Sequence, residues 1–253
     1  MFSFSAISDH RADFAAALKD CKGREKQVKL AMAKALTFTG ERVKAAETAW
    51  MQTGFDRPTP YTMRALYLSP AAPSRLQAYV WIKRPLNGRP HYLEPQITGG
   101  DRQQKGYERA MSMVGIKGGA MTRDAAWIVP GSAAVLDQHG NISRGQMNKI
   151  LSAVKRNPFP GAQRTKASAK RMGKKRVDYF IGRPGGGKLP LGIWEVGGGM
   201  FAHQTVHPVL IFVRKPRYRK RWPFFQIAKQ TADREFPALW ARALQREGIG
   251  VSG

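Results

Sequence analysis

Gly182 to Lys188 (GRPGGGK) matches the first seven positions of a phosphate-binding P-loop, and a strand-like stretch, VDYFI, precedes it. The match stops where the chemistry needs it most. The position of the magnesium-binding Ser/Thr is Leu189, and Pro190 follows. The next segment has a strand pattern, not the helix whose N-terminus would hold the phosphates. The segment therefore reads as a hairpin loop carrying a solvated lysine. His203 and His207 have the spacing of two metal ligands on one helical face. They lie in AHQTVHPVLIFV, which reads as extended, where residues four apart share a face but sit too far apart for one zinc ion. Glu94, Asp101, Glu108, Asp124 and Asp137 scatter through the middle of the chain, and a metal-dependent nuclease would need two or three of them as a clamp. Asp137 to Asn141 (DQHGN) comes nearest to a nuclease fragment, but Asp, Gly and Asn are equally turn residues. Cys21 is the only cysteine, which excludes an internal disulfide and a cysteine-based zinc site. The expectation is a non-enzymatic chain with no catalytic residues, no cofactor and no metal.

The cations are a stronger signal. Residues 155–176 hold Lys155, Arg156, Arg164, Lys166, Lys170, Arg171, Lys174, Lys175 and Arg176, with no acidic residue among them. A second cluster, RKPRYRKR, contributes Arg214, Lys215, Arg217, Arg219, Lys220 and Arg221. Both sit in a chain with 43 Lys+Arg against 17 Asp+Glu, a formal net charge of +26. Such a chain repels itself and is normally neutralised by a polyanion or by an acidic protein surface. These fifteen residues are the candidate contacts for nucleic acid or an acidic partner. Aromatic residues interleave with cations at Trp81, Phe159, Tyr218 and Trp222. They could stack on bases, but Trp81 and Trp222 are read first as core residues beside surface charge.

The 253 residues are 42% hydrophobic and 10% aromatic, enough for a real core. No apolar run approaches the roughly 18–20 residues that span a bilayer, so no membrane partner is expected. The N-terminal MFSFSAISDHRADF has no basic region before an apolar core and does not read as a secretory leader. Residues 24–52 predict one long helix, with Val28, Met32, Ala35, Thr39, Val43, Ala46 and Trp50 at steps of three and four. Thr62 to Leu68 and Leu76 to Lys83 predict two strands around a proline-containing turn. Asp101 to Val114 is a short helical candidate and Ala125 to Val129 a short strand. Ser143 is placed to cap a helix running to Val154. Val177 to Ile181, Leu191 to Val196 and Val206 to Val213 predict three more strands, the last at an edge or with Pro208 near its start. A helix over 222–244 should kink or split at Pro237. The fold class that results is α+β: a long N-terminal helix and a C-terminal helix packed on a mostly antiparallel sheet. It is read as a single domain, residues 1–253, with a long irregular basic insertion at 85–176 that neighbouring subunits would order.

Several motifs combine with this order of elements. They are LEPQITGG (Leu93 to Gly100) with Arg102, Lys105 and Glu108 behind it, Val129-Pro130-Gly131, Asp137 to Asn141, and Ser143-Arg144-Gly145-Gln146 entering the Ile150-Leu151-Ser152 helix. Over most of its length the chain resembles phage and prophage proteins of the minor tail protein Z-like, or tail-completion and head-to-tail neck, family of long-tailed phages. The resemblance implies a non-enzymatic virion subunit made in the host cytoplasm and placed in a six-fold related ring. Its implied partners are copies of itself and the connector, tail terminator or tail tube proteins. The basic segments at 155–176 and 214–221 are not among the motifs that carry the resemblance, and their role is read from the residues alone. Their charge suits either double-stranded DNA in the channel or an acidic neighbour. Two other readings stay open on the residues: a dedicated nucleic-acid-binding protein of a phage or prophage, and a metal-dependent nuclease.

Overall fold

The computed structural model describes residues 11–20, 23–83, 90–113, 127–156, 178–197 and 205–249. The chain divides into two units, residues 1–99 with 219–253, and residues 100–218. The fold is α+β, and every strand pairing among the described residues is antiparallel. No helix among the described residues is long and apolar enough to cross a membrane.

In the first unit, α1 (Arg11–Asp20) leads to α2 (Glu25–Gly54), a short α3 (Pro60–Met63), the hairpin β1 (Leu66–Ser69) and β2 (Tyr79–Ile82), and α4 (Glu94–Thr98). The C-terminal helix, here α7 (Phe224–Arg246), returns to pack on α2. The predicted stripe on α2 holds through Val28, Met32, Ala35, Thr39 and Val43, all buried. It then continues in steps of four to Glu47 and Met51 rather than to Ala46 and Trp50. Small residues on this stripe let large ones from α7 approach. Ala31 and Ala35 share a core cluster with Phe236 and Trp240. Pro237 does not split α7, which runs as one 23-residue helix. Residues 62–65, read as strand, instead belong to α3 and the turn after it. Pro60 sits in the first turn, where its missing N–H costs nothing, and the Thr59 hydroxyl accepts from the Thr62 N–H as a cap.

In the second unit, β3 (Gly100–Asp101) and β8 (Arg217–Tyr218) form a short ladder. Between them come α5 (Gly106–Met113), β4 (Trp127–Pro130), α6 (Arg144–Arg156), β5 (Asp178–Gly182), β6 (Gly192–Gly197) and β7 (Thr205–Val213). The sheet order is β4-β7-β6-β5. Its core gathers Ile128, Ile181, Ile193, Leu210 and Phe212 with Met147, Ile150 and Val154 of α6. The inserted part therefore runs from 100 to 218, further than the 85–176 read from composition. The cause is strand pairing: β7 bonds to β4, and β6 and β5 extend that same sheet rather than the β1–β2 hairpin.

β7 is a central strand, so Pro208 is not at an edge. It is tolerated near the strand start by a bulge. Ile193 pairs with Leu210 but Trp194 pairs with Pro208, skipping Val209. The bulge also explains why consecutive residues Val209 and Leu210 are both fully buried. Gly131 makes this packing possible, since a Cβ there would lie 2.2 Å from the Pro208 carbonyl oxygen.

Candidate functional site

The structure places the predicted cations in three groups. Lys155 and Arg156 are the last two residues of α6. Arg164, Lys166, Lys170, Arg171, Lys174, Lys175 and Arg176 lie outside the described residues, as do Phe159, Cys21, Asp124 and His203. The second cluster is described in full. Arg214, Lys215 and Arg217 belong to the second unit, and Arg219, Lys220 and Arg221 to the first. All six are exposed. Lys215 pairs with Asp101 at 2.5 Å, and Arg217 stands opposite Asp101 in the β3–β8 ladder. The Arg221 N–H donates to the Gln96 carbonyl and its guanidinium to the Gly54 carbonyl. The strand pleat turns Arg217 outward and its neighbour Tyr218 inward.

The aromatic residues follow their core reading. Trp222 is 2% exposed, and its ring stacks 5.9 Å from that of Trp50 at an interplanar angle of 1°. Trp81 is half-buried and meets Tyr67 across the β1–β2 hairpin. GRPGGGK forms the turn between β5 and β6. Gly185, Gly186 and Gly187 all have positive φ, Lys188 is exposed, and a strand follows where a P-loop has its helix. Asp137 accepts from the backbone N–H groups of His139 and Asn141, both at 2.9 Å, so DQHGN is an Asx turn. Among the described residues no three His, Cys, Asp or Glu gather as a metal group.

Residues of four motif segments, Arg102 and Lys105, Val129 and Pro130, Gly140 and Asn141, and Arg144 and Leu151, line one cavity of the second unit. Its anchor is a buried ion pair. Glu108 on α5 is fully buried, and both its oxygens accept from the Arg102 guanidinium, at 2.6 and 2.7 Å. The same carboxylate accepts from the backbone N–H of Lys105 at 2.6 Å and of Ile128 at 3.0 Å. Burial pushes the Glu108 carboxyl up, but Arg102 and the two backbone donors outweigh it and hold it below the ordinary carboxylate range. Arg102 also donates through Nε to the Tyr218 hydroxyl at 3.2 Å. That contact exists only because β3 pairs with β8, joining residues 116 positions apart.

Above this ion pair lies a cavity of about 570 Å³. Lys105 and Arg144 supply cations to its lining, Asn141 and Asn148 supply amides, and Tyr107 and Tyr218 supply phenols. Ile128 and Met147, both buried in the sheet core, line its apolar side. Lys105 reaches over the Tyr107 ring at 5.9 Å. Burial and then the Arg102 charge pull its ammonium below the ordinary lysine range, with Glu108 opposing. Burial pushes the Tyr107 phenol up to about 12. The loop entering α6 is held from beneath. The buried Gln146 side chain accepts from the Val135 N–H at 2.7 Å and donates to the Ala133 carbonyl at 3.0 Å. The Ser143 hydroxyl caps α6 by accepting from the Gln146 N–H, as its sequence position predicts.

Sequence reasoning named Tyr218 as a stacking candidate and Lys105, Asn141 and Arg144 only as motif residues, and it did not join them with Asn148 into one site. Arg144 and Asn148 do fall one turn apart on α6, but nothing local says that Lys105 and Tyr218 face them. No protein-family model matches this chain, and no curated protein or solved structure matches it either.

Proposed function

We propose that this chain is a non-enzymatic structural subunit of a phage virion at the head-to-tail junction. In this reading it sits in a neck or tail-completion ring. It contacts copies of itself, connector, tail terminator or tail tube proteins, and the DNA that passes through the channel. The observation that carries the proposal is charge. A net +26 is spread over a folded α+β chain. The Arg214–Arg221 cations stand exposed, and Asp101, the acid of the β3–β8 ladder, is taken by Lys215. A ring around DNA, or one held between acidic neighbours, neutralises that charge. The motif resemblance supplies the location by analogy. Supporting it, Glu108 and Asp137 in those motifs hold backbone and side chains in place through the bonds described above.

Electron microscopy of lysates lacking this chain tests the proposal. Heads and tails that are made but not joined, or tails left unfinished, are the expected result. Normal, fully joined and infectious particles refute it. The same charge also favours a dedicated nucleic-acid-binding protein. That reading predicts tight binding of the isolated chain to double-stranded DNA with a steep salt slope, alongside normal particles when the chain is missing.

A further inference from the structure

We infer that the cavity between α5, β4, α6 and β8 is a binding site for a phosphomonoester carried on a flat organic body, that is, a nucleotide 5′-phosphate. The site is independent of the virion reading, since it rests only on the geometry of residues 100–218.

Charge selects the anion. Arg102 is neutralised internally by its two-pronged bond to Glu108, so it is a fixed support, not a free cation. Lys105 and Arg144 then leave the lining with excess positive charge. The Tyr218 oxygen accepts from Arg102, which orients the phenol and leaves its O–H to donate outward. Asn141 and Asn148 add amide donors on the α6 side. A doubly charged phosphate accepts several such bonds at once, which a single carboxylate does less well. Lys105, beside the Arg102 cation, gains from an anion placed against it.

Shape and polarity select the organic body. A cavity of about 570 Å³ falls in the size range of small-ligand sites, roughly 300–1,000 Å³, and greatly exceeds what inorganic phosphate fills. Ile128 and Met147 give it an apolar wall, and the Tyr107 ring gives it an aromatic one. Aromatic and apolar walls beside a cationic rim suit a base or sugar face with its phosphate at the mouth. The rigidity is in place already. Glu108 holds β4 through the Ile128 N–H, and Gln146 holds the loop over α6.

The source can be a free mononucleotide or the 5′-phosphorylated end of a strand, and the experiment separates them. Isothermal titration of the full chain at moderate salt uses dAMP, deoxyadenosine, inorganic phosphate and a 5′-phosphorylated tetranucleotide with its unphosphorylated form. Variants are Lys105→Gln, Arg144→Gln and, as a control on the same unit, Lys188→Gln. Saturable one-site binding of dAMP is expected, at least tenfold tighter than deoxyadenosine or phosphate alone. Lys105→Gln and Arg144→Gln should each weaken it about tenfold, with Lys188→Gln unchanged. If the phosphorylated tetranucleotide binds tighter than dAMP and shows the same losses, the ligand is a strand end. If dAMP binds at least as tightly, the ligand is the free nucleotide. Absence of saturable binding overturns the proposal. So does equal loss in all three variants, because general attraction to a cationic chain would then explain it. Both site variants replace exposed cations, and unchanged thermal unfolding shows that they fold.

Discussion

Replacing Glu47 with Gln should remove a large part of the pH dependence of this protein's stability. Glu47 faces the aromatic core of the first unit and is 0% exposed. Its Oε2 accepts from the Trp222 indole N–H at 2.7 Å, while its Oε1 is buried with no partner among the described residues. Burial pushes the carboxyl up from 4.5 to about 8, opposed only in part by the indole. The folded chain therefore holds the proton more tightly than the unfolded chain. The stabilisation is complete below about pH 4.5, declines as pH rises through the window from 4.5 to 8, and is gone above it. Within that window the slope is about 1.4 kcal/mol per pH unit, so the whole titration is worth about 3–5 kcal/mol once some relaxation of the shell is allowed. Glu47→Gln keeps an acceptor for the indole and carries no charge. At pH 5 its stability should lie within about 1 kcal/mol of the original chain, and at pH 9 it should exceed it by about 3 kcal/mol. Urea unfolding followed by tryptophan fluorescence at pH 5, 7 and 9 measures both, and other titrating groups cancel in the difference. Parallel pH profiles for the two chains would refute the reasoning and mean that water reaches the carboxyl.

Other perturbations have equally definite signs. Gly131→Ala drives a Cβ into the Pro208 backbone carbonyl and should cost about 2–4 kcal/mol, whereas Gly145→Ala, with open space at its Cβ, should be neutral or stabilising in thermal melts. Arg102→Met strips the buried Glu108 of its guanidinium and should cost about 3 kcal/mol; restoring much of that loss with Glu108→Gln in the same chain checks that the uncompensated charge is the cause. Changing Arg214, Arg217, Arg219 and Lys220 to Gln should leave the melting temperature within a few degrees. It should also reduce the salt slope of double-stranded DNA binding by about one for each phosphate that is no longer neutralised; an unchanged slope separates this cluster from DNA.

The elements that local chemistry controls were legible in the sequence. Val28, Met32, Ala35, Thr39 and Val43 announce α2 by their spacing, and Ser143 announces the start of α6. The strands β5 to β7 stand within a residue or two of their predicted bounds, and GRPGGGK reads as a hairpin once its helix is seen to be missing. The charge was legible too, since it is a sum over residues. What local patterns did not carry was pairing. A strand pattern says that a segment will pair but not with which partner. The attachment of β5–β7 to β4, the boundaries at 100 and 218, and the bulge that admits Pro208 to a central strand therefore belong to the tertiary structure alone. Burial of polar groups escaped for the same reason. Nothing in the local pattern marks Glu47 for burial, yet the stripe that begins at Val28 rotates it under Trp222, a residue 175 positions away. The cavity between α5 and α6 is the clearest case. Lys105, Arg144 and Tyr218 are ordinary residues where they stand in the chain. They share one cavity because the β3–β8 ladder and the Arg102–Glu108 pair bring distant segments within bonding distance, and only a closed three-dimensional chain can do that.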